Sequence, residues 1–140
     1  MKNIIKTIVA GGFLVGMTAL ISSCVGEKFH VEGTIGNAQD SVLYFEHNGL
    51  TGFTTVDSVK LDEKGAFSFA GDKIDNPEFY RLRIAEQIIN IAIDSTETVK
   101  VMAKYPQMAT EYDVNGSYEN EKIKELALKQ INLWKEVEAL

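Results

Sequence analysis

The amino-acid sequence predicts a mainly β fold, an antiparallel β-sandwich or open barrel of about eight strands with a C-terminal amphipathic helix. Two observations support this prediction. Short stretches of alternating apolar and polar residues recur between residues 29 and 115, and turns rich in Gly, Asn, Asp and Ser separate them. After Gly116 the apolar spacing changes from every second residue to every third or fourth residue, which is the period of a helix.

The early strands are predicted from apolar residues that alternate with polar ones. Phe29, Val31 and Ile35 are expected to point inward, as are Phe67 and Phe69 further along the chain. The second strand is apolar on both faces, which indicates a central position in its sheet. The predicted strands lie at 29–35, 41–47, 54–61, 66–71, 78–84, 87–93, 98–104 and 111–115.

The fifth predicted strand carries two cations on one face. Tyr80, Leu82 and Ile84 are expected to face the core, which leaves Arg81 and Arg83 together on the opposite face. Two neighbouring arginines can clamp an anion. The sequence favours a plainer interpretation, in which nearby acidic side chains pair with them on a solvated surface.

Residues 117–140 are predicted to form the helix, with Ser117 or Asn115 as its N-cap. Its apolar stripe either packs on the sandwich or contacts a partner. An aromatic residue near the helix end favours a partner interface at least in part, because aromatic anchors concentrate binding energy. One such partner is a second copy of the chain, in a homodimer through this helix. The candidate interface residues are Ile123, Leu126, Leu133, Trp134 and Val137.

The domain organisation follows from the change in apolar spacing after Gly116. Residues 29–116 form the β-sandwich domain, and residues 117–140 form the helix. The helix reaches Leu140 without a Gly, Asn or Pro stop signal. We therefore expect it to be a truncated linker to a domain that is absent from this chain.

The N-terminal segment is predicted to be a targeting signal. Residues 1–23 combine two lysines, an apolar stretch and small residues before Cys24, as in a secretory signal peptide. Residues 21–24, Ile-Ser-Ser-Cys, resemble the lipobox of bacterial lipoproteins. That resemblance implies cleavage before Cys24 and acylation of this residue, which would anchor the chain in a bacterial envelope membrane. Residues 24–28 are then a short lipidated tether, and the domain is expected to face the periplasm.

Composition excludes several classes of function. The full chain has a formal net charge of −6, and removal of residues 1–23 takes away two lysines and leaves −8. An acidic domain is not expected to bind nucleic acid, which requires a basic surface. The single cysteine allows neither an intrachain disulfide nor a C-x-x-C pair, and His30 and His47 lie far apart. We therefore expect no metal and no cofactor.

Catalytic and calcium-binding interpretations of the polar residues are weak. Three Asp-Ser pairs begin at Asp40, Asp57 and Asp94, but Ser-His-Asp chemistry needs a histidine base beside the serine. Side chains of this kind more often bond the local backbone at the ends of strands. Asp62 and Glu63, near Asp57, do not have the spacing of an EF-hand loop, so a polar hairpin is favoured over a calcium site.

Several motifs in a fixed order resemble an N-terminal β-sandwich domain of unknown function found in Gram-negative envelope lipoproteins. A later motif is similar to the segment that closes that domain. The motifs are Phe29-x-Val-x-Gly33-x-Ile35, Asp40-Ser41-Val-Leu-Tyr-Phe45, Asp57-Ser58-Val-Lys-Leu-Asp62, Gly65-x-Phe67-x-Phe69 and Val114-x-Gly116-Ser117-x-Glu119-Asn120.

The resemblance implies a function through a partner. In that family the domain usually precedes a thioredoxin-like disulfide reductase domain with a C-x-x-C pair, which implies a part in envelope thiol–disulfide chemistry. This chain has no C-x-x-C pair, so no catalytic residue carries over and we expect no enzymatic activity in it. We expect a spacer, dimerisation or recognition module for a thioredoxin-like domain. The alternative is a stand-alone lipoprotein that holds a small ligand on a sheet face or at loop 48–53.

Overall fold

The structure is a computed structural model that describes residues 27–140. The described part of the chain forms two four-stranded sheets that are not closed into a barrel, followed by one C-terminal helix. This confirms the predicted fold class. In chain order the elements are β1 (Lys28–Gly36), β2 (Val42–Gly49), β3 (Gly52–Lys60), β4 (Ala66–Asp72), β5 (Glu78–Ile84), β6 (Gln87–Ile93), β7 (Thr98–Lys104), β8 (Tyr112–Asn115) and α1 (Tyr118–Glu138).

The strand order is β4-β1-β7-β8 in the first sheet and β3-β2-β5-β6 in the second. The predicted central position of β2 is confirmed, since it lies between β3 and β5. One feature departs from an antiparallel sandwich, because β1 and β7 pair in parallel. A parallel pair needs a long crossover, and here the whole second sheet lies between these two strands in the chain. Strand periodicity carries no information on this direction.

The core lies between the two sheets and contains the inward residues predicted for β1, β4 and β5. An aromatic cluster joins the sheets at its centre. The Phe45 ring stacks on Phe69 of the other sheet at 5.3 Å between centroids and on Tyr80 at 4.9 Å. Phe29 meets Phe45 edge-on at 6.3 Å. Such pairs add about 0.5–1.5 kcal/mol each beyond the burial of their area.

Loop 48–53, one of the two places that the sequence suggests for a small ligand, is a tight hairpin. Asn48 pairs with Phe53, and Gly49 pairs with Gly52, so the two strands run almost to the tip. Leu50 is fully exposed at that tip.

Three strand ends meet at one end of the sandwich, which we call the proximal end. It is defined by Lys28 at the start of β1, Thr98 at the start of β7 and Asn115 at the end of β8. The registers place these residues together, since His30 pairs with Thr98 and Lys100 pairs with Asn115. The described chain enters the domain at the proximal end, and α1 begins there as well.

Helix α1 closes one open side of the sandwich. It packs against β6 and β8, which are the neighbouring edge strands of the two sheets. Its first turn meets the end of β6 through Asn120, and Ile123, Ala127 and Ile131 then follow β6 back towards its start. The helix therefore runs away from the proximal end. Part of the apolar stripe predicted for the helix therefore packs on the sandwich.

Candidate functional site

The start of α1 is fixed by a dense set of local contacts. Gly116 has φ of +95°, and a Cβ there would lie 2.2 Å from the carbonyl oxygen of Thr98. Only glycine fits this close approach without strain. Ser117 is the N-cap, as predicted, and its hydroxyl accepts a hydrogen bond from the backbone N–H of Asn120. Glu119 and Glu121 stand in the first turn, where the helix dipole favours negative charge.

The Asn120 side chain joins the helix to the second sheet. Its Oδ1 accepts from the backbone N–H of Ala92 and its Nδ2 donates to the Ala92 carbonyl, both at 2.7 Å. Asn120 is only 1% exposed. An edge strand leaves backbone groups unpaired, and the Asn120 amide satisfies two of them as a neighbouring strand would. The motif in the sequence contained this residue, but its role needed the register of β6.

The rest of α1 presents two faces. One face, with Ala127, Leu128 and Ile131, is half-buried against the domain. The other carries large apolar residues into solvent, each between 51% and 105% exposed. Together with Leu140, which lies just past the end of the helix, we call this second set the outer helix face; it comprises Leu126, Leu133, Trp134, Val137 and Leu140.

Four of the five predicted interface residues lie on the outer helix face. The fifth, Ile123, is half-buried against the β6 and β8 side of the domain. An exposed apolar patch of this kind is typical of a contact surface. The outer helix face is therefore the candidate functional site of the domain.

The two arginines of β5 bind a carboxylate of the same chain. Pairing with a nearby acidic side chain is the interpretation that the sequence favours. Arg81 Nε donates to Glu46 Oε1 at 2.7 Å, and Arg83 Nε donates to the same oxygen at 2.9 Å. Glu46 is 5% exposed. Hydrogen bonds from Arg83 and then Arg81 lower the pKa of Glu46 although its burial opposes the shift. The carboxylate therefore stays charged at neutral pH and occupies the anion position between the arginines.

Aromatic rings hold the same arginines in place. The guanidinium of Arg81 lies 3.4 Å from the ring centroid of Phe53, and that of Arg83 lies 4.6 Å from the centroid of Tyr44. Such contacts are worth about 0.5–1 kcal/mol at exposed sites. Glu46 was not singled out in the sequence, because its partners lie 35 and 37 residues away and only the β2–β5 register brings them together.

The other polar candidates have local roles. Asp57 accepts from the backbone N–H of Ser58 at 2.7 Å, and Asp62 accepts from Lys64 and Gly65 in the hairpin turn. His47 contacts a Glu78 carboxylate oxygen at 2.7 Å. Between residues 27 and 140, no group of three His, Cys, Asp or Glu side chains is arranged to hold a metal ion.

A groove lies on the outer face of the first sheet, beside α1. It has a volume of about 530 Å³ and is lined in part by Met102, Lys104, Tyr112 and Leu128. Lys124 of the helix forms one wall, where it pairs with Asp113 at 2.9 Å. The groove mixes apolar walls with charges of both signs.

Cys24, the predicted lipidation site, lies outside the described residues, as does the predicted signal peptide of residues 1–23. Residues 27–140 contain a single helix, α1. It does not have an apolar stretch long enough to cross a membrane.

Comparison with known proteins identifies a family. No curated protein matches the chain. The profile of a family described as a domain of unknown function, DUF4369, matches residues 29–123. The match covers all eight strands except Lys28 at the start of β1, and it covers the start of α1 up to Ile123, including Asn120 and its bonds to Ala92. The chain therefore belongs to the DUF4369 family.

Proposed function

We propose that this protein is a lipid-anchored envelope domain that acts as a spacer and recognition module for a thioredoxin-like thiol–disulfide oxidoreductase domain. Acylated Cys24 would hold it on a bacterial membrane, with the domain facing the periplasm. The domain itself is not the enzyme in this proposal. Its contribution is to set the distance and orientation of a redox partner.

The observation that carries the proposal is the common position of the chain entry and the helix start. Lys28 lies at the proximal end, four residues after Cys24, and α1 begins at the same end. A tether this short keeps the proximal end near the bilayer. The 21 residues of α1 span about 31 Å at 1.5 Å per residue, directed away from that end. A domain joined to the helix would then stand well clear of the lipid headgroups.

The outer helix face supports the recognition role. Leu133, Trp134 and Val137 of this face lie on the distal half of α1, where a partner domain would meet it. Trp134 is 61% exposed and offers the aromatic anchor that partner interfaces favour. The docked first turn fixes the direction of the helix, so this face is presented from a rigid support.

Two measurements test the proposal. Cys24→Ala should move the protein from the membrane fraction to the soluble fraction, whereas Ser23→Ala, which keeps a small residue before the cysteine, should stay in the membrane. Equal membrane retention of Cys24→Ala and wild type would contradict the anchor. An immunoblot of native host membranes tests the partner. We expect a band much heavier than 15.5 kDa, whose additional sequence contains a C-x-x-C pair. If the band has the mass of this chain, we expect a thioredoxin-like protein to co-purify with it.

A second candidate function is a stand-alone lipoprotein that binds a small ligand. The groove beside α1 favours it, because its volume and mixed walls suit a small molecule. A saturable rise in melting temperature with a small-molecule fraction of the envelope, lost in Met102→Glu, would favour this function. No shift, together with a thioredoxin-like partner on the outer helix face, would exclude it.

A further inference from the structure

Residues along α1 and at its C-terminal end follow a seven-residue repeat. Ile123, Gln130 and Val137 are separated by seven residues each, and Leu126, Leu133 and Leu140 form a second series three residues after the first. In the heptad notation these are a and d positions. β-Branched residues at a, leucine at d and one polar residue at a are the pattern of a parallel, two-stranded coiled coil.

Most of this seam lies away from the contacts that hold α1 to its own domain. Ile123 is the exception: it is half-buried, and with Gln130 it borders the cleft between α1 and β6. At 100° per residue, the seam lies roughly a third of a turn away from the face that contains Ala127, Leu128 and Ile131. Leu126, Leu133, Val137 and Leu140 are each more than half exposed. A second helix can therefore lie along the seam while Asn120 stays bonded to Ala92.

We propose that α1 pairs with α1 of a second copy of this chain, in parallel and in register, as a short two-stranded coiled coil on the membrane. The inference rests on the proposed lipid anchor and names a second copy as an occupant of the outer helix face. Each exposed seam residue meets its own counterpart. The paired helices then present two copies of whatever follows them side by side.

The anchor decides the direction of pairing. With both chains held in one bilayer, parallel pairing keeps both proximal ends at the lipid surface. Antiparallel pairing would raise one proximal end by about the length of the helix, roughly 30 Å. The chain from Cys24 to Phe29 spans at most about 18 Å when fully extended, so that tether cannot reach.

Two side chains specify the register. Gln130 meets Gln130 of the second copy, and a polar pair at one a position fixes register and favours two strands. Lys129 precedes this layer at a g position and faces the exposed Trp134 ring of the second copy at e. That juxtaposition suits a cation–π contact.

The size of the seam indicates whether the dimer forms in solution or only on a membrane. The seam side chains of the two chains bury at most on the order of 1,000 Å² in total, which is the lower limit for a specific interface. In solution such a dimer is weak. Anchoring both copies in one membrane with the same orientation raises their effective concentration, as a linker does between two binding modules. The dimer is therefore a property of the lipidated chain.

Cysteine cross-linking in membranes tests the pairing. The lipidated full chain carries one added cysteine, Leu126→Cys or Leu140→Cys at the two ends of the seam, and is oxidised with copper–phenanthroline. Cys24 does not compete, because acylation blocks its thiol. Lys135→Cys, on the opposite side of α1, is the matched control. All three positions are exposed, so the fold tolerates each substitution.

Parallel pairing predicts disulfide dimers from both Leu126→Cys and Leu140→Cys, at several times the level given by Lys135→Cys. Adding Leu133→Glu should reduce both to the control level. Three results would overturn the inference. Cross-linking only in a mixture of Leu126→Cys with Val137→Cys indicates antiparallel helices. If the chain stays in the membrane but cross-links no more than Lys135→Cys, another partner covers the seam. That result leaves the proposed function standing. Loss of membrane retention overturns the anchor and the pairing together.

Discussion

The amide of Asn120 is bonded to both backbone groups of Ala92, so one helix side chain completes the edge of a β-sheet. The relationship fixes α1 to the sandwich before the helix continues towards the far end. It ties the direction of the helix to the register of β6. The direction of α1 in turn determines what the domain can present and at what distance from the proximal end.

Asn120→Ala is expected to lower the free energy of unfolding by about 2–4 kcal/mol, because two hydrogen bonds are lost and two buried backbone groups lose their partner. Asn120→Asp should be at least as harmful, since a carboxylate faces the Ala92 carbonyl without a donor. Urea unfolding measures both. Asn132→Ala, exposed on the same helix, is the control and should change stability by less than about 0.5 kcal/mol. Equal effects at the two positions would show that Asn120 does not dock the helix.

Gly116→Ala is expected to destabilise the fold strongly, because the added methyl group would lie 2.2 Å from the Thr98 oxygen and the backbone has a positive φ. The measurement is the shift in melting temperature. Gly36→Ala is a matched control in the same sheet, where an added Cβ meets ordinary contacts at 3.7 Å and 3.8 Å. A similar loss in both variants would mean that the approach at Gly116 has no special role.

Glu46 gives the domain a pH-dependent contribution to stability. Its folded pKa lies below the ordinary value of 4.5, because Arg83 and Arg81 stabilise the charged form. The contribution is therefore complete above pH 4.5 and is lost as the pH falls through the lowered value. Glu46→Gln should cost about 1–3 kcal/mol at pH 7, since the arginines lose a buried charged partner.

The difference between wild type and Glu46→Gln should shrink between pH 7 and pH 3, as measured by chemical unfolding at each pH. Comparing the two proteins removes the contribution of other carboxyls, such as Glu125, whose pKa Lys129 and Lys122 lower to about 2. Glu86→Gln, at an exposed loop position, is the control. A difference that stays constant with pH would contradict the role of the Glu46 charge.

The two faces of α1 are expected to respond differently to truncation in the soluble Cys24→Ala protein. Ile131→Ala, on the half-buried face, should cost about 1–2 kcal/mol, a part of the 2–5 kcal/mol typical of a fully buried residue. Leu133→Ala, on the outer helix face, should change stability by less than about 0.5 kcal/mol. Thermal unfolding at low protein concentration measures both. A larger loss at Leu133 would show that the outer helix face packs on the domain.

Local sequence patterns were sufficient for the strands and the helix. Alternation placed Phe29, Val31 and Ile35 in the core, and the change of period after Gly116 located α1. The parallel β1–β7 pair was not predictable in this way, because both directions use the same alternation. Strand direction depends on how the chain crosses between sheets.

The candidate site was predictable only in part, for a related reason. Helical spacing identified Leu126, Leu133, Trp134 and Val137, but it did not separate the outer helix face from the half-buried side with Ile131. That separation follows from where Asn120 fixes the helix on β6, which is a contact across 28 residues. Glu46 was missed because its meaning depends on the same kind of long-range register.

Energy transfer to labelled lipid tests whether the protein is an anchored spacer with its helix directed away from the bilayer. The lipidated protein is placed in vesicles that carry an acceptor dye on the headgroups. A donor is attached at Asp72→Cys, at the proximal end beside Lys28, or at Ala139→Cys, just past the end of α1. An anchored spacer of this kind predicts strong transfer from position 72 and weak transfer from position 139. Equal transfer from the two positions, or stronger transfer from position 139, would contradict it.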